Sequence, residues 1–292
     1  MVTLDRTRGY RVFQGINAVI LTGVVIVTLY PFVNIVARSF SEERYIVGGQ
    51  VNLVPRGFNI ETYKLVVSDP MFWTNYRNTV VYTVVATAIA MFLTTCYAYV
   101  LSKKHLRGRT VLIWVAVFTM IFSGGLIPNY VLVNSLGLTD TIWSVVLPNA
   151  ISVFNLLVMK TFFEGLPRDL EEAAAIDGLN TYGVLWRIVL PLSKAVIATM
   201  VLFYAVSFWN SWFTAFLYLN DGDLFPVTIY LRNLIAGATG AEAAGAGIAE
   251  ASAAAANIQA VTIMLTVLPI LAVYPFVQRY FVSGVMLGAV KG

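Results

Sequence analysis

Six long apolar runs divide this chain, and they limit what it can fold into more than any other feature. Each is close to the length of helix that crosses the hydrocarbon core of a bilayer, roughly 20 residues. With 59% hydrophobic and only 12% charged residues, the composition excludes a water-soluble globular domain. The sequence therefore predicts an all-α integral membrane protein, a single transmembrane domain over residues 1–292. Its spans are expected at about 14–36, 79–101, 111–133, 142–162, 195–219 and 258–281.

The distribution of basic residues predicts which way the chain faces. Six spans place both termini on one side of the membrane. Thirteen of the 19 Lys and Arg residues fall on that side, four of them in the short stretch 102–110. Because basic residues concentrate in cytoplasmic loops, both termini are expected in the cytoplasm. The net charge of +4 is explained in the same way, and no nucleic-acid partner is expected.

The cores of the six spans contain no Asp, Glu, Lys, Arg or His, which argues against several kinds of function. A proton-coupled carrier usually needs such a group inside the membrane, although sodium coupling through carbonyl groups stays open. A single histidine, His105, and a single cysteine, Cys96, offer no metal site and no catalytic cluster. The chain also lacks the GxxxxGK[ST] loop that binds ATP phosphates. We therefore expect no catalytic residue, metal or cofactor on this chain, and an energy source on a separate subunit.

One long segment, residues 164–191, is polar, charged and helix-forming, although it lies between two apolar spans. Asp169 is predicted to cap a first helix. Gly178 is predicted to end that helix in the left-handed conformation, after which Asn180 or Thr181 caps a second helix. A charged pair of helices between membrane spans must lie at the membrane surface, where a soluble partner can bind it.

This segment carries a resemblance to a known family. Its spacing of EAA, three residues, G, nine residues and I-x-L-P resembles the EAA signature of ABC importer permeases, met here by Glu172, Ala173, Ala174, Gly178, Ile188, Leu190 and Pro191. The resemblance implies that this is a cytoplasmic coupling helix that docks in a groove of an ATPase subunit. The residues implied in that contact are Glu172, Ala173, Ala174, Asp177 and Gly178. The alternative is an ordinary amphipathic helix at the membrane interface.

The resemblance also implies the rest of an assembly. A second, homologous permease would complete a heterodimeric pore in the bacterial cytoplasmic membrane. Two ATPase subunits would carry the ATP and Mg²⁺, and an extracytoplasmic binding protein would deliver substrate for import by alternating access. The alternative is a secondary carrier or channel that is not coupled to an ATPase. A polytopic membrane enzyme is a third possibility, but the chain has no catalytic cluster.

A second resemblance concerns the cargo. The stretch 124–167 resembles the permeases of carbohydrate importers, in the branch related to the maltose importer. An oligosaccharide is therefore the implied substrate. The whole chain also resembles the permeases of bacterial alginate importers, which would make a polyuronate the cargo. The spans carry no positive charge to receive an acidic sugar, so the sequence favours the general oligosaccharide.

Three spans contain residues that could line a substrate path. A Gly-Gly pair breaks span three, and amides and aromatics in spans four and five are suited to sugars. The candidates are Gly124, Gly125, Asn149, Asn155, Trp209 and Asn210. The alternatives are helix packing, hydrogen bonds between helices and interfacial anchoring by tryptophan. The loop 220–257 matches in position a maltose-importer loop that reaches into the binding protein, and the alternative is a flexible connector.

Overall fold

The structure is a computed structural model that describes residues 8–243 and 256–272. The described residues are helical or irregular, apart from one isolated β-bridge between Ser41 and Phe58, which confirms the predicted all-α class. The helices, in chain order, are α1 (Arg8–Ser39), α2 (Glu43–Val47), α3 (Glu61–Ser68), α4 (Pro70–Ser102), α5 (Arg109–Ile121), α6 (Leu126–Ser135), α7 (Ile142–Val146), α8 (Val153–Glu164), α9 (Arg168–Ile176), α10 (Thr181–Val184), α11 (Leu190–Leu192), α12 (Lys194–Trp209), α13 (Phe213–Tyr218), α14 (Val227–Ala243) and α15 (Ala256–Ala272).

The chain divides into two compact units, and it passes between them before α4, inside α14 and inside α15. The first takes in residues to Asp69 and Leu231–Leu268, and the second Pro70–Tyr230 and the chain from Pro269. In the first unit, α1 is apolar over the whole length of a span, and none of its most apolar stretch is buried by protein. The end of α1 is fixed by Asn257, whose side-chain amide donates to the carbonyls of Arg38 and Ser41, both at 3.0 Å.

The second unit is built around α4, which packs against α8 and α12. Small residues make this packing close, since Ala86, Ala90 and Ala98 of α4 are fully buried. A buried hydrogen bond of 2.6 Å between the hydroxyls of Thr94 and Tyr204 joins α4 to α12. Because a hydrocarbon environment cannot satisfy these hydroxyls, their pairing favours this helix arrangement over others.

The spans are less regular than the apolar runs suggest. Two described helices, Gly9–Ser39 and Pro70–Ser102, are long and apolar enough to cross a membrane unaided. Three bent pairs qualify together: Arg109–Ile121 with Leu126–Ser135 (111°), Ile142–Asn149 with Val153–Glu164 (52°), and Thr181–Leu192 with Lys194–Trp209 (85°). The sixth expected span, 258–281, is described only as α15, and its remainder lies outside the described residues. The count of six spans therefore stays a prediction.

Two expected boundaries differ from the structure. Span five is expected to run to residue 219, but α12 ends at Trp209 and α13 follows separately at Phe213–Tyr218. The backbone N–H of Asn210 donates to the carbonyl of Val206 at 3.2 Å, and its side-chain amide donates to the same carbonyl at 2.8 Å, so Asn210 caps the end of α12. The expected loop 220–257 contains α14, and residues 244–255 lie outside the described part of the chain.

Candidate coupling surface and substrate path

The first helix of the polar segment, α9, ends in a glycine turn. Gly178 has φ +83°, a conformation that L side chains rarely adopt. The Leu179 N–H donates to the Ala174 carbonyl at 3.0 Å and the Gly178 N–H to the Ala175 carbonyl at 3.1 Å. This pair of bonds defines a Schellman motif. The prediction that Gly178 ends this helix in the left-handed conformation is confirmed.

The predictions of the two N-caps have opposite outcomes. The side chain of Asn180 accepts a hydrogen bond of 2.8 Å from the Gly183 N–H, so the prediction of a cap at the second helix is confirmed. The prediction that Asp169 caps the first helix is wrong. Pro167 holds the cap position and α9 begins at Arg168, so Asp169 lies inside the first turn. Its carboxylate is still suited to the positive end of the helix dipole there.

One side of this segment exposes large apolar side chains. Ile176 is 87% exposed, Tyr182 76% and Trp186 62%. Ala173 is also exposed, whereas Ala174 is 2% exposed and packs into the core. One alanine of the signature is thus exposed and the other is buried.

We call the exposed residues on this side the coupling surface. They are Glu172, Ala173, Ile176, Asp177, Gly178, Tyr182 and Trp186. Exposed apolar groups between charged ones are typical of a protein-binding site.

The coupling segment is attached to the end of α4. The Lys103 ammonium forms an ion pair with the carboxylate of Glu171 on α9 and lies 4.1 Å from the ring centroid of Tyr99. The Tyr99 hydroxyl in turn donates to the Thr181 carbonyl at 3.5 Å, at the start of α10. Both helices of the segment are therefore in contact with the same turn of chain.

A second ionic cluster joins α8 to α5 just before the coupling segment. Arg109 at the start of α5 pairs with Glu164 at the end of α8, and Lys160 reaches the same carboxylate at 3.0 Å. All three side chains are mostly shielded from solvent, which strengthens the pairing relative to an exposed ion pair.

The broken spans border a cavity of about 580 Å³, whose lining residues precede and follow the coupling surface in the chain. It is lined by α6, by the 3₁₀ turn Leu147–Asn149 and by α13. Its polar lining residues are Ser123, Asn129, Asn149, Thr214 and Tyr218, and none of the described residues around it carries a charge. The Asn149 amide donates to the Thr214 hydroxyl at 3.3 Å, across the cavity wall.

The structure brings only part of the predicted path residues to this cavity. Gly125 and Asn149 line it, and Gly124 adjoins Gly125. Asn155 is buried in α8, where its N–H donates to the Ser152 hydroxyl at 3.4 Å. Trp209 packs edge-on against Tyr76, at 5.8 Å between ring centroids, and Asn210 ends α12. A role in the substrate path stays a prediction for all six candidates.

Sequence reasoning missed Asn129, Thr214 and Tyr218 as lining residues. Asn129 lies one turn beyond Gly125, so the break that exposes Gly125 also presents Asn129, whose N–H donates to the Gly125 carbonyl at 3.3 Å. Thr214 and Tyr218 lie on α13, within the stretch expected to form the end of span five. The break at Asn210, once recognised, would have pointed to both.

Asp140 fixes the end of α13 through hydrogen bonds of its backbone to Tyr218 and of its carboxylate to Asn220, a set of contacts that we call the carboxylate clasp. Asp140 accepts hydrogen bonds from the Asn220 N–H at 2.5 Å and from the Asn220 amide at 3.0 Å. Its own N–H donates to the Tyr218 carbonyl at 3.0 Å. The bonds from Asn220 hold the pKa of the Asp140 carboxyl below its ordinary value.

The first part of α4 holds the adjoining turn, residues 222–227. The side-chain amide of Asn78 donates to the carbonyl of Asp223 at 2.6 Å, and the Tyr82 hydroxyl donates to the carbonyl of Leu224 at 2.7 Å. The Val227 N–H donates to the Thr79 hydroxyl at 2.8 Å. We call this segment the outer turn, after the side of the membrane on which the charge distribution predicts it.

Comparison with known proteins places this geometry in a family. Residues 70–287 match the family described as binding-protein-dependent transport system inner membrane component. The chain is 44% identical over 290 residues to protein LplC of Bacillus subtilis (strain 168), covering 99% of this chain and 98% of that one. It is 39% identical over 283 residues to the polygalacturonan/rhamnogalacturonan transport system permease protein YtcP of the same organism, covering 97% and 99%.

A solved structure agrees with these relatives. A chain in the crystal structure of a bacterial ABC transporter involved in the import of the acidic polysaccharide alginate superposes with a TM-score of 0.83. The two chains are 33% identical, and the match covers 96% of this chain and 100% of that one. This chain therefore belongs to the family of binding-protein-dependent transport system inner membrane components, the permease subunits of ABC transporters.

Proposed function

We propose that this chain is one half of a heterodimeric pore that imports a carbohydrate, coupled to ATP hydrolysis on partner subunits through residues 164–191. The observation that carries the proposal is the coupling surface. It exposes an apolar and acidic face that the described chain leaves open, on a segment tied by an ion pair and a hydrogen bond to the end of α4. Three residues of the signature, Glu172, Ala173 and Gly178, lie on this surface.

Five residues of the surface have a physical role in docking. The Glu172 carboxylate is placed to pair with a basic or amide group of an ATPase subunit. Ala173 has no bulk and allows close approach, while Asp177 and Gly178 set the turn between the helices. Burying a side chain the size of Ile176 contributes about 1.5–3 kcal/mol, so this exposed residue adds a large apolar term to the contact.

Import then proceeds by alternating access. ATP and Mg²⁺ belong to the two ATPase subunits, whose closure draws the coupling surfaces of the two permeases together. The cytoplasmic orientation of the coupling surface and of both termini follows from the charge distribution of the sequence. Substrate enters from an extracytoplasmic binding protein, and the cavity beside α6 and α13 forms part of its path.

We infer that the cargo is an oligosaccharide containing uronic acids. Two similar proteins are described as a permease for polygalacturonan/rhamnogalacturonan and as part of an importer of the acidic polysaccharide alginate. The lining of the cavity supplies amides and hydroxyls, which hydrogen-bond sugar hydroxyls. An amide N–H can also donate to a carboxylate, so an acidic sugar can be held there without a cationic partner.

ATPase activity of the complete complex in liposomes tests the coupling. Glu172→Lys reverses a charge on the surface, and Gly178→Val places a β-branched residue at φ +83°. We expect wild type to be stimulated by binding protein loaded with uronate oligosaccharides, and both variants to lose most of that stimulation. Glu61→Lys, the same charge change on the exposed start of α3, is the matched control and should behave as wild type.

The same preparation tests the cargo and the rival function. Neutral oligosaccharides serve as the comparison panel, and equal stimulation by them would contradict the uronate assignment alone. Full stimulation of both variants, or the absence of a co-purifying ATPase, would contradict the coupling role. The chain would then have to be tested as a secondary carrier or channel.

A further inference from the structure

We propose that α4 carries the movement of the coupling surface to the outer turn, and that Lys103 and Tyr99 are the positioning residues through which α4 receives it. The proposal rests on the proposed coupling function. It names the helix through which a displacement at one end of the second unit is transmitted to the other end. Neither residue belongs to the signature motif.

The inner end of the route is the contact between α4 and the two coupling helices. Lys103 holds α9 through the Glu171 carboxylate and lies over the Tyr99 ring at 4.1 Å. Tyr99 reaches α10 through the Thr181 carbonyl and packs edge-on against Phe163 of α8, at 6.4 Å between ring centroids. A displacement of the coupling segment must therefore either move the end of α4 or break this set of contacts.

The middle of the route is α4, which has no proline or glycine in its interior that would kink it. α4 spans 33 residues with no proline or glycine after its first residue, which gives a rod of about 50 Å. In the described part of this unit, α4 is the one helix that qualifies as a span without a break. The other candidate spans there bend by 111°, 52° and 85°, and a bend absorbs displacement that a continuous helix passes on.

The outer end of the route is the outer turn. Asn78 and Tyr82 donate to its backbone carbonyls and Thr79 accepts from its Val227 N–H, at 2.6 to 2.8 Å. These side chains lie on successive turns of α4, so the turn is fixed to the helix at several points rather than at one. It precedes α14, in the region where the family resemblance places the contact with the binding protein.

A charge-swap series tests the inner end. In the complete complex, Lys103→Glu should lower the stimulation of ATPase activity by substrate-loaded binding protein about fivefold or more, since coupling between sites ordinarily corresponds to factors of this size. Glu171→Gln, which keeps the shape of the side chain, should give a smaller loss and remains informative if Lys103→Glu does not assemble. The double variant Lys103→Glu/Glu171→Lys should recover most of the stimulation. Lys104→Glu, the same charge change at the exposed neighbouring position, is the control.

A fluorescent probe on the outer turn tests transmission directly. A side-chain carbon added at Gly222 would meet no atom within 4 Å, so Gly222→Cys can carry an environment-sensitive label in a Cys96→Ser background. A non-hydrolysable ATP analogue should change its emission in the complex. Lys103→Glu should abolish that change and the charge-swap variant should restore it, a pattern that a merely structural loss would not produce.

The outcomes separate this proposal from the coupling function beneath it. If Glu172→Lys loses stimulation while Lys103→Glu and Glu171→Gln keep both stimulation and the emission change, the route through α4 is wrong and the coupling function stands. If the single variants lose stimulation and the charge swap does not restore it, the ion pair is not the link and the proposal is likewise overturned. If Glu172→Lys itself remains fully stimulated, the proposed function fails.

Discussion

At the scale of single residues, Asp140 combines an unusual backbone with a charged clasp. It is the one non-glycine among the described residues with a positive φ, 55°. Asp and Asn enter this region more readily than other side chains because their short polar groups bond locally. Here the carboxylate accepts from Asn220 and Asp221, and the contacts explain why an acid occupies a left-handed position.

The lowered pKa of Asp140 predicts how this clasp depends on pH. A carboxyl whose pKa falls on folding stabilises the fold fully above its ordinary value of 3.8 and loses that contribution as pH falls through the lower folded value. Asp140→Asn keeps a residue suited to the left-handed region but removes the charge. In thermal unfolding of the purified protein, this variant should have a lower melting temperature than wild type at neutral pH. The difference should shrink below about pH 4. Asp223→Asn, in the outer turn, is the control, and an equal pH-dependent deficit there would contradict the assignment.

At the scale of elements, the break between α5 and α6 depends on one of two adjacent glycines. Gly125 has φ +89° and ψ 172°, a combination that is essentially restricted to glycine. Gly124 has no positive φ, and a side-chain carbon there would meet Asn129 and Pro128 at an ordinary 3.8 Å. The bend that presents Asn129 to the cavity therefore rests on Gly125.

The two glycines make a matched pair of variants. Gly125→Ala should lower the free energy of unfolding by about 1–3 kcal/mol, the usual strain of a side chain forced into such a conformation. Gly124→Ala should change it little. Thermal unfolding in detergent and substrate uptake by proteoliposomes both report the difference. Equal losses for the two variants would show that packing, rather than backbone conformation, requires the glycines.

At the scale of the whole molecule, the predicted orientation places 102–110 in the cytoplasm and the outer turn outside. Because Cys96 is the single cysteine, a Cys96→Ser background allows single reporters to be introduced. Gly222→Cys should react with a membrane-impermeant thiol reagent in intact cells. Lys104→Cys should react only after the membrane is permeabilised. The reverse pattern of reactivity would show that the topology is inverted. The coupling surface would then lie on the side of the membrane where no ATPase could reach it.

Local conformation could be predicted where the residue type alone decides it. Gly178 and Asn180 agree with expectation because a left-handed turn and an N-cap each depend on one side chain and its immediate neighbours. The cap predicted at Asp169 is wrong for a related reason. Pro167 competes two residues earlier, and the start of a helix with several suitable residues is not determined by any one of them.

The sequence by itself determined the helical membrane class, the position of the coupling segment and its expected side, since apolar length, signature spacing and charge bias are all properties of contiguous residues. Only the tertiary structure decided which polar residues meet. Asn149 reaches Thr214, Lys103 reaches Glu171 and Asn78 reaches Asp223 across long stretches of chain. Hydropathy cannot foresee such pairs, because the breaks and bends that bring them together depend on backbone conformation and on packing against distant helices.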